Sequence, residues 1–211
     1  MPKFSPKQLE IIDARECFSK CVMDYFTEGY LKGETPNPCN MCNKHIKWGK
    51  LFDYAINELN CDYIATGHYA KIVPKDGKFL LFPAKDEKKD QLYYLVGLSQ
   101  KHLSKTLFPL SDFTKEEIKE IAQRLDLPSK SAKESQDICF IQKPMTTKKW
   151  LLEKFGEKKG DFILQKTGEK VGQHTGHFQY TTGQRKGIGI AFCVPLYATC
   201  IDGEKNTVYV G

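Results

Sequence analysis

The residues best suited to chemistry are two cysteines spaced C-x-x-C, Cys39 and Cys42, in the stretch Thr35-Pro36-Asn37-Pro38-Cys39-Asn40-Met41-Cys42-Asn43-Lys44-His45-Ile46-Lys47. Pro36 and Pro38 fix φ and push the residue before each toward extended geometry. The first half is therefore expected as a stiff loop that delivers both thiols to a helix beginning near Lys44. Lys44, His45 and Lys47 follow closely, and a helix N-terminus adds the positive end of its dipole. Both effects favour thiolate over thiol, so the chemistry expected here is that of sulfur. A second candidate is Cys61-Asp62-Tyr63-Ile64-Ala65-Thr66-Gly67-His68-Tyr69, which reads as a buried strand running into a functional loop. Gly67 permits close backbone approach to a ligand, and ligands in open α/β sheets bind at the carboxyl ends of strands. A third is Ser135-Gln136-Asp137-Ile138-Cys139-Phe140-Ile141, read as a short strand in which Cys139, by pattern alone, is a core residue.

The elements that must position these groups follow from periodicity and capping. Asp13 with Glu16 reads as a capping box, and Phe18, Cys21, Val22, Tyr25, Phe26 and Leu31 recur at helical spacing up to Gly33. Cys17 and Cys21 ride on that helix as small hydrophobes. A further helix covers about 46–59, with Leu51, Phe52, Ala55, Ile56 and Leu59 on one face. Lys75-Asp76-Gly77 joins strands near 69–73 and 78–83. Lys89-Asp90-Gln91 opens a helix over 91–104 with Asp90 as cap, and Thr114 with Glu117 caps a helix over 115–126 that stops before Pro128. From about 144 the composition changes. A helix at 147–155 gives way to glycine-punctuated, alternating sequence expected as a small antiparallel barrel or sheet, with Asp202-Gly203 as a turn. Thr181, Thr182 and Gln184-Arg185-Lys186-Gly187 read either as phosphate donors or as a solvated loop. The expected division is an α/β domain over 1–143 and a small β-rich domain over 144–211.

At 211 residues and 40% hydrophobic content the chain can bury a real core. No apolar run approaches the roughly 18 residues a membrane span needs, and the N-terminus carries no apolar signal core, so a cytoplasmic protein without a membrane partner is expected. Eight cysteines in that setting point to buried, catalytic or metal-binding thiols rather than a disulfide framework. The net charge of +6 permits an anionic partner such as nucleic acid without requiring one.

In order and spacing, the segments Gly33 to Lys47, Ile64 to Tyr69, Lys89 to Gln91, Ser135 to Ile141 and Tyr180 to Gly187 resemble the tRNA-specific 2-thiouridylase family, from about residue 10 to 211. The resemblance implies an α/β fold: a partial Rossmann-like adenine-nucleotide alpha-hydrolase (PP-loop ATPase) domain followed by a small β-rich, tRNA-binding domain. It implies that ATP, with Mg2+, adenylates the C2 oxygen of the wobble uridine before a persulfide sulfur attacks C2. By position Cys139 would bear the persulfide, and Cys42 would release the sulfur by forming a disulfide with it. Gly67 would lie against the nucleotide and His68 near the tRNA. Asn37, Pro38, Cys39, Lys89, Asp90 and Gln91 would face the tRNA and its target base. A persulfide-donating protein is the implied sulfur source.

Two departures from the family pattern alter these expectations. The Ser-Gly-Gly-x-Asp-Ser pyrophosphate loop of the family does not occur in these 211 residues. The chain alone is thus expected not to adenylate: either a second chain supplies that half or the product is truncated or a fragment, and the exposed sheet edge is expected to self-associate or to pair with a partner chain. Cys39 stands where many family members carry aspartate, leaving three thiols, Cys39, Cys42 and Cys139. These could hold a [4Fe-4S] cluster with one open iron, or zinc, or leave Cys39 a bystander to the persulfide route. Cys61, Cys193 and Cys200 are expected to be structural. Two other classes stay open: a tRNA-binding module without chemistry, and a structural zinc domain completed by His45 or His68.

Overall fold

The computed structural model describes residues 9–131 and 138–211, so the Ser135-Gln136-Asp137 motif lies outside the described residues. Six α-helical segments are α1 (Arg15–Phe18), α2 (Tyr25–Leu31), α3 (Pro38–Cys42), α4 (Gln100–Leu103), α5 (Lys115–Arg124) and α6 (Thr147–Phe155). Wider π-type turns cover Ser19–Asp24, Asn43–Leu51 and Tyr54–Glu58. Eight strands follow as β1 (Ile64–Ala65), β2 (Lys71–Lys75), β3 (Lys78–Phe82), β4 (Thr106–Leu107), β5 (Gly160–Leu164), β6 (Lys170–His174), β7 (Ala198–Asp202) and β8 (Thr207–Val210). The chain divides into two compact units, one of Met1–Val22 with Cys39–Lys133 and one of Met23–Pro38 with Glu134–Gly211.

In the first unit, β1 and β4 form a parallel pair in register Ile64↔Thr106, and β2 and β3 an antiparallel hairpin. Asp76 (φ 51°) and Gly77 (φ 71°) are both left-handed, the type I′ geometry that matches strand twist. The core gathers Trp48, Phe52, Ile64, Ala70, Leu95 and Phe108. Trp48 Nε1 donates to Thr106 Oγ1 at 2.8 Å, and that hydroxyl donates to the His102 carbonyl at 2.7 Å, so the indole enters the core without an unsatisfied N–H. Helix α5 carries the expected reciprocal box: Glu117 N donates to Thr114 Oγ1 and Thr114 N to Glu117 Oε2.

Several expectations for this unit are corrected. The cysteine helix begins at Pro38, not near Lys44, because proline at the first helical position loses no hydrogen bond and already has helical φ. Both cysteines thus ride inside the helix. Of the face expected over 46–59, Leu51 and Leu59 are exposed while Trp48 is buried, since the wide turns rotate the buried stripe. The strand at 61–69 shortens to Ile64–Ala65. The helix expected over 91–104 is broken between a 3-10 turn at Leu92–Leu95 and α4, leaving Val96 71% exposed. The expected capping box is absent: the N-cap is Ala14, Asp13 before it accepts from Arg15 N at 3.0 Å, and Glu16 turns to Lys20.

In the second unit, the sheet order is β6-β5-β8-β7. Its central pair, β5 and β8, is parallel in register Phe162↔Val208, which corrects the antiparallel expectation; the flanking pairs are antiparallel. Phe162, Tyr180, Ile188, Val208 and Val210 fill one face, and Phe26, Ile141, Leu151 and Phe178 form a second cluster. Helix α2 ends at Gly33 (φ 83°) with Glu34 N bonded to Gly29 O and Gly33 N to Tyr30 O, the Schellman pattern. A Cβ on Gly33 would lie 2.5 Å from the Ile201 carbonyl oxygen, so both backbone hand and space demand glycine. The described residues 138–141 form a turn closed by Ile141 N to Ile138 O at 3.0 Å, not the expected strand. Cys139, Cys193 and Cys200 are exposed rather than core residues, and Cys61 is half-buried.

Candidate functional site

The cysteine helix and the Thr66-Gly67-His68 loop belong to one unit and touch through polar side chains. Lys47, one turn past Cys42 along the wide helix, brings Nζ to 3.4 Å from His68 Nε2. Thr66 Oγ1 stands 2.9 Å from His68 Nδ1. An ammonium can only donate, so Nε2 accepts and the ring proton sits on Nδ1, facing Thr66. The ring is 8% exposed and lies between Trp48 and Phe108 at centroid distances of 5.5 Å and 6.2 Å. Burial, reinforced by the Lys47 charge, pushes the imidazole down from 6.5 to about 4. At neutral pH His68 is therefore an uncharged, fixed acceptor rather than an acid.

Two further bridges tie neighbouring motifs together. Asn43, directly after Cys42 and 3% exposed, donates Nδ2 to the Tyr94 carbonyl at 2.7 Å. Gln91 accepts from Tyr69 N at 2.9 Å and donates its own N–H to Tyr69 O at 3.0 Å, a two-point clamp. The loop after β1 and the Lys89-Asp90-Gln91 segment are thus held in register. Asp86 secures that segment from behind, accepting from Lys88 N and from Lys115 N at the start of α5. Asp90 is exposed and accepts from Leu92 N, while Lys89 is half-buried. Gly67 is exposed, and a Cβ there would meet only Leu110 Cδ1 at 3.7 Å, so the backbone is open on that side.

Cys39 is exposed and Cys42 half-buried on α3; Pro38, at its head, is buried and Asn37 half-buried. Cys139 is exposed and belongs to the second unit, in the turn that follows the Ser135-Gln136-Asp137 motif. The Thr181 to Gly187 loop folds on itself: Gln184 Oε1 accepts from Thr181 N, and Gln184 Nε2 donates to Lys186 O. Arg185 and Lys186 remain exposed, and Arg185 with residues 188–196 lines a cleft of about 390 Å³. Cys17 and Cys21 stand 3.9 Å apart one turn along the first helical stretch, half-buried.

Sequence reasoning missed Lys47 as the partner of His68, and with it Thr66, Asn43 and Trp48. Only the helical position of Lys47 behind the cysteines was visible, because its partner lies in a loop 21 residues away. Among the described residues no three His, Cys, Asp or Glu side chains stand together as metal ligands. No helix among them is long and apolar enough to cross a membrane.

Residues 7–143 match the family model of the tRNA methyl transferase HUP domain, a Rossmann-like α/β fold, and residues 148–211 match that of the tRNA methyl transferase PRC-barrel domain. Curated relatives named tRNA-specific 2-thiouridylase MnmA include that of Carboxydothermus hydrogenoformans, 45% identical over 95% of this chain and 55% of the relative. Those of Nostoc punctiforme (43%, covering 96% and 58%) and Amoebophilus asiaticus (47%, covering 95% and 54%) are similar in extent. The chain spans about half the length of the curated relatives it matches. With five motifs in order and both domain models matched, it belongs to the tRNA-specific 2-thiouridylase family.

Proposed function

We propose that this chain carries the sulfur-handling part of a tRNA uridine 2-sulfurtransferase that uses ATP. The observation that carries the reading is the junction of the cysteine helix with the strand-end loop, through Lys47 to His68 at 3.4 Å and Asn43 to Tyr94 at 2.7 Å. It joins the helix that carries Cys42 to His68, the residue after the open Gly67 backbone, where a nucleotide or an activated base would lie. The paired thiols favour sulfur transfer over the methyl transfer named in the family models, since moving a methyl group needs no second thiol.

In this reading a donor protein leaves a persulfide on Cys139. Its terminal sulfur attacks C2 of a uridine whose C2 oxygen has been adenylated by ATP, and AMP leaves with that oxygen. The Cys42 thiolate then attacks Cys139 Sγ. The S–S bond breaks toward the transferred sulfur, which remains on C2 as the thione, and a Cys42–Cys139 disulfide forms. The two thiols supply the two electrons that reduce the sulfane sulfur, and an external thiol must reopen the disulfide for the next turnover. Asn37, Pro38, Cys39, His68, Lys89, Asp90 and Gln91 are the proposed tRNA-facing set and Gly67 the nucleotide-facing residue. His68 acts in its neutral state, orienting rather than transferring protons.

The test is mass-spectrometric mapping after anaerobic loading with a persulfide donor. A persulfide on Cys139 is expected to resolve to a Cys42–Cys139 bridge in the native chain and to accumulate in Cys42→Ser. A persulfide confined to other cysteines contradicts the assignment. About four irons per chain, lost in Cys39→Ala, would replace the persulfide route with an iron–sulfur one.

A further inference from the structure

We infer that Lys47, held by His68, forms an oxyanion site for a phosphate group at the carboxyl end of β1. Three observations meet there. The Lys47 ammonium is half-buried, and among the described residues its partner is a neutral imidazole, with no carboxylate paired to it. Three other lysines of the same unit do have a carboxylate: Lys71 with Asp112, Lys85 with Glu117 and Lys101 with Asp53. A half-buried cation without a counter-charge has given up hydration for little return, which an incoming anion would restore. His68 fixes its direction: the ammonium can only donate, so Nε2 accepts and the Nδ1–H faces Thr66 Oγ1. Finally, Gly67, between Thr66 and His68, is exposed and its backbone unobstructed beyond Leu110. The open backbone therefore directly precedes His68, the residue that holds the ammonium.

His68 is then a positioning residue, acting through Lys47. The inference rests on the reading that this unit works on phosphate-bearing substrates, and it names the group that receives them. The phosphate could belong to a nucleotide or to an RNA backbone, and the chemistry of recognition is the same.

The experiment follows the His68 ring 15N resonances of the chain at low salt while inorganic pyrophosphate is added. A saturable shift of Nε2 is expected as the ammonium turns to the anion. Lys47→Met, which keeps most of the stem and removes the charge, should weaken pyrophosphate about tenfold or more. His68→Ala should weaken it severalfold, while His68→Gln, which retains an acceptor, should recover part of the loss. A purely structural His68 would show no such rescue. Displacement of pyrophosphate by ATP would assign the site to the nucleotide, and displacement by tRNA alone to the RNA backbone. An unmoved Nε2, native-like binding by Lys47→Met, or displacement by neither ligand overturns the inference. Should Lys47→Met fail to fold, the native Nε2 titration decides. Failure here with the Cys42–Cys139 bridge intact would remove the role of Lys47 and leave the sulfurtransferase reading standing.

Discussion

The two units hold their shape by different means. The second is built around a four-stranded sheet whose glycines are demanded by crowding: a Cβ on Gly160 would lie 2.1 Å from the Asn206 carbonyl oxygen, and one on Gly203 2.2 Å from the Leu31 carbonyl oxygen. Asn206 there donates to the carbonyls of Lys158 and Lys159 and accepts from His177 N, pinning three segments. Among the described residues the first unit has a two-residue parallel pair and a hairpin as its strands, and its loops are fixed by single side chains such as Gln91, Asn43 and Lys47. Its strand-end glycine, Gly67, is uncrowded. A rigid sheet thus supports one unit, while the other keeps its strand-end loop open on one side, as a ligand-binding surface requires.

The largest expected contrast comes from alanine at one glycine in each unit. Gly160→Ala should destabilise by about 3 kcal/mol or prevent folding, because the nearest colliding atom is a backbone carbonyl oxygen, with the buried His174 ring also too close. Gly67→Ala should change stability by less than about 1 kcal/mol, since its Cβ makes an ordinary contact. Urea unfolding of both variants measures this, and equal losses would erase the distinction between a crowded and an open glycine.

A smaller effect, present in both units, follows from two buried histidines. Burial, with His177 adding to it, pushes His174 down to about 4, as burial and Lys47 do for His68. Each is neutral when folded and takes up a proton on unfolding, so the stabilisation is complete above about pH 6.5 and is lost as pH falls toward about 4. After allowance for solvent screening, each should contribute roughly 1–2 kcal/mol across that window. Unfolding free energies at pH 7 and pH 5 would show it. His68→Gln and His174→Gln should each flatten part of the slope, and an unchanged slope in both variants would mean that neither ring is held neutral by the fold.

Much of the local structure was legible because its causes are local. Thr114 with Glu117, Asp76-Gly77 and the run from Thr147 to Phe155 each specify their element within a few residues, and the structure has all three. What was illegible depends on distant partners. Pro38 reads as a break until the chain after it is seen to continue helically, which makes it a starting residue. The helix expected from Gln91 is divided where Ser99 caps a new start at Gln100, while Gln91 itself is clamped to Tyr69, 22 residues earlier. The parallel pairing of β5 with β8 joins residues some 46 apart in register, which alternation cannot reveal. The candidate site divides in the same way. Cysteine spacing and the Thr-Gly-His run announced themselves, whereas the neutral state of His68 and its grip on Lys47 needed Trp48 and Phe108 packed around the ring.

That these thiols serve chemistry on tRNA is tested most directly by thiol footprinting. Alkylation rates of Cys39, Cys42, Cys139 and Cys61 would be measured by mass spectrometry with and without saturating tRNA, at low and high salt. Severalfold protection of Cys39, Cys42 and Cys139 is expected, with none at Cys61, and the protection should fade as salt rises, since backbone phosphate contacts release counterions. Equal rates at all four cysteines while tRNA is bound would place the thiols away from the RNA and contradict a role for them in its modification.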